Sequence, residues 1–111
     1  MITAMVQITV PEPLSDAEVR EIFDGTSPNY LKVPGLIRKY YLLSEDRLVI
    51  GGCYLWETKE QAQRIYTDEW RRTVVKRYRG PEPTVTFFES PVIVEGALDR
   101  IDTFWSQTIG A

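Results

Sequence analysis

Residues 35–57 read GLIRKYYLLSEDRLVIGGCYLWE, two runs rich in Tyr, Leu, Ile and Val separated by the polar stretch Ser44-Glu45-Asp46-Arg47. That pattern predicts a β-hairpin. With Glu45 and Asp46 at the tip, facing residue numbers sum to ninety-one: Lys39 faces Gly52, Ile37 faces Tyr54, Tyr40 faces Gly51 and Tyr41 faces Ile50. Side chains alternate across a strand. One face therefore carries Ile37, Lys39, Tyr41, Leu43, Leu48, Ile50, Gly52, Tyr54 and Trp56, and the other Leu36, Arg38, Tyr40, Leu42, Val49, Gly51, Cys53 and Leu55. Both faces are mostly apolar, so both are expected to be covered. On the first, a cation lies opposite a glycine, and a glycine within a strand leaves room for a ligand or a neighbouring chain. Lys39 beside that room is the strongest chemical lead in the sequence.

The flanking segments complete the pattern. Residues 2–10 alternate, with Ile2, Ala4, Val6, Ile8 and Val10 on one side, and end at Pro11 and Pro13, which predicts a first strand. Ser15-Asp16-Ala17-Glu18 forms a capping box, with Leu14 and Val19 placed as a hydrophobic staple, and opens a helix whose apolar stripe is Val19, Ile22 and Phe23. Gly25 is expected to end it, and Ser27-Pro28 to start a short helical turn. After the hairpin, Thr58 and Gln61 cap a second helix, and Asp68 is placed to cap a third carrying Trp70, Val74, Val75 and Tyr78 up to Gly80-Pro81. Residues 84–89 alternate as a fourth strand, and Pro91 sets residues 92–95 apart as an extension or edge strand. Leu98, Ile101, Trp105 and Ile109 share a helical face, so residues 96–111 are expected to form a C-terminal helical tail after a domain at 1–95.

The order strand, helix, strand, strand, helix, strand predicts an α+β, ferredoxin-like βαββαβ domain with a four-stranded antiparallel sheet. Helices on one side cannot cover a sheet that is apolar on both. The economical cover is the same sheet from a second copy, so a symmetric homodimer is expected.

Composition narrows the chemistry. The chain has 111 residues, a net charge of −3 and a pI near 5.0. Its basic residues cluster only at Arg71, Arg72, Lys76, Arg77 and Arg79, on a helical stretch, so nucleic-acid binding is not expected. No apolar run is long enough for a membrane span, the N-terminus has no signal-like pattern, and Cys53 is the single cysteine. A cytoplasmic setting is expected. There is no histidine, which excludes Ser-His-Asp and Cys-His relays, His-ligated haem and the usual His-containing zinc sites. No metal site is expected. No phosphate-cradling glycine loop is present either, so a tightly held dinucleotide is not expected; the expected cofactor is none.

Three segments resemble a known family: Val-Pro-Gly-Leu-Ile-Arg-Lys from Val33, Gly-Gly-Cys-Tyr-Leu-Trp-Glu from Gly51, and Pro-Thr-Val-Thr-Phe-Phe-Glu-Ser-Pro-Val-Ile-Val from Pro83. They are similar to the YdhR-like proteins, candidate monooxygenases of the dimeric α/β-barrel superfamily. The similarity spans residues 2–94. It implies two ferredoxin-like subunits packed sheet to sheet, each with a pocket between sheet and helices. Other branches of the superfamily include cofactor-free quinone-forming monooxygenases, haem and chlorite degraders, lactone isomerases and polyketide cyclases. The missing histidine sets the haem branches aside.

The resemblance and the residues together point to a cofactor-independent monooxygenase acting on a small planar aromatic or quinol-type substrate. The alternatives are a non-catalytic binding module, or an isomerase or cyclase using the same pocket. Lys39 and Tyr54 are the expected catalytic pair: partial burial would depress the lysine and let it hold a substrate oxyanion, while Tyr54 positions or exchanges a proton. The plainer role for Lys39 is a snorkelling amine paired with Glu57 or Glu89. Trp56, Tyr66, Trp70 and Tyr41 are the expected substrate-binding residues, any of which could equally be core aromatics. Cys53, beside Arg38 on the opposite face, reads as an inert thiol. Asp99, Arg100 and Asp102 read as a solvated helix face.

Overall fold

Strand alternation and helix caps set the architecture. The computed structural model describes residues 1–107; Ile109, counted above on the tail's apolar face, lies outside them. In chain order the elements are β1 (Ile2–Thr9), α1 (Asp16–Thr26), a 3₁₀ turn (Ser27–Tyr30), β2 (Leu36–Leu43), β3 (Val49–Trp56), α2 (Lys59–Gln63), α3 (Asp68–Tyr78), β4 (Thr84–Glu89), β5 (Val92–Glu95) and β6 (Arg100–Thr103), with 3₁₀ turns at Gly96–Leu98 and Trp105–Gln107. β1 to β4 form one antiparallel sheet in the order β2-β3-β1-β4, the expected ferredoxin-like arrangement.

The helices begin where short side chains can accept free backbone N–H groups. Ser15 and Glu18 form the full reciprocal capping box, Thr58 accepts from the Gln61 N–H, and Thr67 accepts from the Trp70 N–H. The third cap is thus one residue earlier than Asp68, which becomes the first helical residue. Gly25 does not end α1; the helix runs on to Thr26 and directly into the 3₁₀ turn. α3 ends with Arg79 in the left-handed region, its N–H bonded to the Val75 carbonyl. Gly80 follows, and a Cβ there would collide with the Thr9 carbonyl. The bare backbone lets the end of α3 lie against the end of β1.

The β2–β3 hairpin forms, with a longer loop and a shifted register. Five residues, not two, separate Leu43 from Val49. Ser44 N–H bonds the Val49 carbonyl, the Ser44 hydroxyl and the Leu48 N–H both donate to Asp46, and Arg47 takes a positive φ of 65°. Lys39 therefore pairs with Tyr54, Tyr40 with Cys53 and Tyr41 with Gly52. The slip is two residues, so each side chain from Arg38 onward keeps its expected face. Before Arg38 the register shifts again, leaving Ile37 as an extra residue in β2. That bulge reverses the expectation for two residues: Leu36, opposite Trp56, packs on the core, and Ile37 is exposed.

The core lies between the sheet and the helices. Ala4, Val6, Ile8 and Val10 of the first strand and its extension join Ile50, Tyr54 and Trp56 of β3, with Ala62, Tyr66 and Val74 above them. On the opposite sheet face, Tyr40, Leu42 and Phe88 are exposed, and part of the remainder is covered by the β5–β6 hairpin. Residues 96–107 do not form the expected continuous helix. β5 pairs with β6, so the boundary expected at 95/96 falls inside a hairpin. Asp99, in the left-handed region at φ 49°, breaks the helical path. The β-branched run Val92-Ile93-Val94 supplies the strand signal that prevails. Arg38 reaches this hairpin through a 2.5 Å ion pair with Glu95, and the Thr3 and Ser90 hydroxyls bond across its base.

Candidate functional site: an aromatic-caged lysine in an apolar cavity

A cavity of about 190 Å³ opens between the sheet and the two longer helices. Val6, Ile8, Lys39, Tyr41, Ile50 and Tyr54 form its floor. α3 supplies one wall through Trp70, Thr73, Val74, Arg77 and Tyr78, the i, i+3, i+4, i+7, i+8 face of a helix. Ile22, Phe23 and Thr26 of α1, with Asn29 and Tyr30 of the 3₁₀ turn, supply the other.

Lys39 is the chemical centre of this space. Its Nζ lies 3.5 Å from the ring centroid of Tyr30, 3.9 Å from that of Tyr41 and 4.6 Å from that of Tyr54. Among the described residues the ion pairs are Arg38–Glu95, Arg47–Asp16 and Arg100–Asp102, so the pairing of Lys39 with Glu57 or Glu89 is not what the structure forms. Burial without a carboxylate pulls the amine from 10.5 down to about 7. The ring faces act the other way, because their quadrupoles favour a cation at Nζ. Both the ammonium and the free amine are therefore accessible near neutral pH.

The glycine pairing expected for Lys39 is replaced by a diagonal one with the same consequence. A Cβ on Gly52 would stand 2.9 Å from Tyr54 Cε1 and 3.1 Å from Lys39 Cε. The space freed by the glycine is thus filled by the lysine stem and the tyrosine ring. Tyr54 is buried, and its phenol is raised well above its ordinary value, first by burial and then by Tyr30 and Tyr66. It can donate a hydrogen bond at neutral pH and cannot act there as a phenolate base. Tyr41 is raised in the same direction by burial and shares a 2.7 Å hydrogen bond with the Thr26 hydroxyl, which fixes its ring beside the amine. Tyr78, on the α3 wall, is also raised, chiefly by burial, with Arg77 opposing the shift.

Of the residues singled out in the sequence, Lys39, Tyr41, Tyr54 and Trp70 line this one cavity. Trp56 and Tyr66 lie behind its wall. Trp56 is fully buried, donates its indole N–H to the Tyr66 hydroxyl at 3.2 Å, and stacks on Tyr54 with ring centroids 6.1 Å apart. Tyr66 lies in the turn between α2 and α3 and meets Trp70 edge-on at 5.2 Å. The pair buttresses Tyr54 and Trp70 instead of facing the cavity. Cys53 is half-buried on the opposite sheet face, beside Arg38 in the cleft under the β5–β6 hairpin.

Sequence reasoning missed Tyr30, the ring nearest the amine, and Phe23, Thr26, Asn29, Arg77 and Tyr78. Once Trp70 is accepted as a wall residue, helical spacing alone retrieves Arg77 and Tyr78. Tyr30 carries no such signal, since its position depends on how the 3₁₀ turn folds back over β2.

No family model matches the chain, and no curated protein matches it significantly. Among solved structures, one neighbour is a monooxygenase from the gene ActVA-Orf6 of Streptomyces coelicolor, in complex with the ligand nanaomycin D. It aligns with a TM-score of 0.63 at 20% identity, over 85% of this chain and 90% of its own. A second is a candidate antibiotic biosynthesis monooxygenase from Deinococcus radiodurans, with a TM-score of 0.62 at 9% identity over 86% of this chain and 97% of its own. At these identities the likeness is one of fold: this chain has the ferredoxin-like α+β fold of structures described as monooxygenases.

Proposed function

We propose that the protein is a cofactor-independent monooxygenase of a small, planar, electron-rich aromatic substrate of the phenol or hydroquinone type. The observation that carries this reading is the Lys39 amine, held near neutrality against three tyrosine rings in an apolar cavity. The shared fold with structures described as monooxygenases, one of them holding a small-molecule ligand, supports it. The chain is further proposed to be YdhR-like and to act as a homodimer, for which the exposed Tyr40, Leu42 and Phe88 on the outer sheet face argue.

In this mechanism the free amine of Lys39 takes the phenol proton, and the resulting ammonium holds the phenolate. The electron-rich phenolate then reduces oxygen. One phenol and one O₂ give one quinone and one water: a ring C–H becomes a carbonyl, the second oxygen atom leaves as water, and all four electrons come from the substrate. Tyr54, kept neutral, donates a hydrogen bond to the developing oxygen anion. Tyr41 and Trp70 hold the ring, and the apolar walls exclude water from the intermediate.

Oxygen uptake with a panel of phenols and hydroquinones tests the proposal. Uptake that yields one quinone per O₂ and falls at least about a hundredfold in Lys39→Met, as removal of an oxyanion-stabilising group does, is expected. Binding of these compounds without uptake by any of them would overturn it. The near-neutral amine equally suits proton transfer, which favours a second reading as an isomerase or cyclase. Turnover that persists under anaerobic conditions would select that reading.

A further inference from the structure

We infer that Lys39 is a Schiff-base-forming amine and that the cavity takes planar aromatic carbonyl compounds as reversible covalent ligands. This goes beyond oxygenation and does not depend on it.

Three features of the site point there. First, Lys39 lines the same cavity as Tyr54 and Trp70, and its Nζ lies among the rings of Tyr30, Tyr41 and Tyr54, so a planar aromatic carbonyl compound entering the cavity meets the amine. Second, no carboxylate partner holds the amine as an ammonium among the described residues. The other titratable or charged groups lining the cavity are the phenols of Tyr30, Tyr41, Tyr54 and Tyr78 and the guanidinium of Arg77, with no aspartate or glutamate among them, and burial raises the phenols of Tyr41, Tyr54 and Tyr78 above their ordinary value. Third, the rings that surround Nζ favour a positive charge at that point whether it belongs to an ammonium or to a protonated imine. The product is therefore stabilised by the same cage as the resting lysine.

The step balances without a redox partner. The nitrogen lone pair forms the N–C bond, and the carbonyl π pair moves to oxygen, which receives a proton from nitrogen by way of solvent. The C–O bond then breaks with one further proton from solvent, water leaves, and the nitrogen pair closes the C=N bond. Tyr54, which lines the same cavity with its ring beside Nζ and whose phenol burial keeps protonated, is the proposed hydrogen-bond donor to the departing oxygen. An apolar cavity retards the return of water to the imine.

Salicylaldehyde with sodium cyanoborohydride, at neutral pH and with less than one equivalent of aldehyde, tests this on the full chain. Peptide mapping then compares Lys39 with the Met1 amine and with Lys32, Lys59 and Lys76, which are exposed. An amine at about 7 holds roughly a thousandfold more free base at neutral pH than a lysine of ordinary pKa, so labelling at least about tenfold faster at Lys39 than at each exposed lysine is expected. The preference should vanish in urea-unfolded chain. Labelling spread evenly over the lysines, or a Lys39 preference that survives unfolding, would overturn the inference. Oxygen uptake is measured separately, so the failure of either proposal leaves the other readable.

Discussion

At the scale of single residues, the site rests on one half-buried amine and one absent side chain. Gly52 leaves space that Lys39 and Tyr54 occupy, and the Tyr40 carbonyl stands 3.1 Å from where a Cβ would go. The backbone oxygen cannot move aside, and the ring is packed, so Gly52→Ala should cost about 1–3 kcal/mol by overpacking. It should also displace the lysine stem from its cage. Urea denaturation measures the cost; an unchanged midpoint would mean the space is not filled as described. Lys39 itself makes stability depend on pH. Unfolded, the amine returns to about 10.5; folded, it loses its proton above about 7. Between those values the unfolded chain binds more protons, so native stability rises with pH across the window, and below it this group contributes no slope. Lys39→Met places a flexible apolar side chain among the rings and removes that dependence. Unfolding midpoints of the two proteins should diverge in favour of the wild type as pH rises from about 7 towards 10, relative to their difference at pH 6. Parallel curves would contradict the depressed amine.

At the scale of elements, the added β5–β6 hairpin is fastened to β2 by Arg38 and Glu95, whose side chain is only 17% exposed. Glu95→Gln should therefore loosen the hairpin before it affects the main sheet. Hydrogen exchange is expected to speed up at residues 100–103 with little change in β1 or β3; uniform protection would show that the ion pair is not what fastens it. The elements also show why parts of the fold were legible and parts were not. Ser15-x-x-Glu18 and the alternation of residues 2–10 act locally, so their reading needs no tertiary information, and both form as expected. The β2–β3 register depends on a five-residue loop in which Arg47 has positive φ, and a non-glycine residue gives no warning of that. The lysine still reached the correct face because a two-residue slip preserves parity. The Ile37 bulge did not preserve it, and Leu36 and Ile37 exchanged faces. In the tail, Leu98, Ile101 and Trp105 matched a helical spacing, yet pairing with Val92-Ile93-Val94 decided the outcome. A spacing rule sees one strand of such a pair and not its partner.

At the scale of the whole molecule, two faces of one sheet have different tasks. One buries the core and holds the cavity; the other leaves Tyr40 56% and Phe88 53% exposed, beside a hairpin whose Val94 and Ile101 are also exposed. Sedimentation at micromolar concentration is expected to give twice the 12.8 kDa chain mass, and a monomer there would contradict the proposed homodimer. Tyr30 joins the cage from a turn that only the assembled fold brings over β2, which is why the candidate site was half legible: Lys39, Tyr41, Tyr54 and Trp70 carry strand or helix periodicity, and Tyr30 carries none. Every functional reading returns to the state of that caged amine. An NMR titration with lysine isotope-labelled at Cε reports it directly, with Lys39→Met identifying the resonance among the four lysines. A midpoint near 7 is the predicted result, and a midpoint at the ordinary 10.5 would contradict a desolvated amine in an apolar cavity.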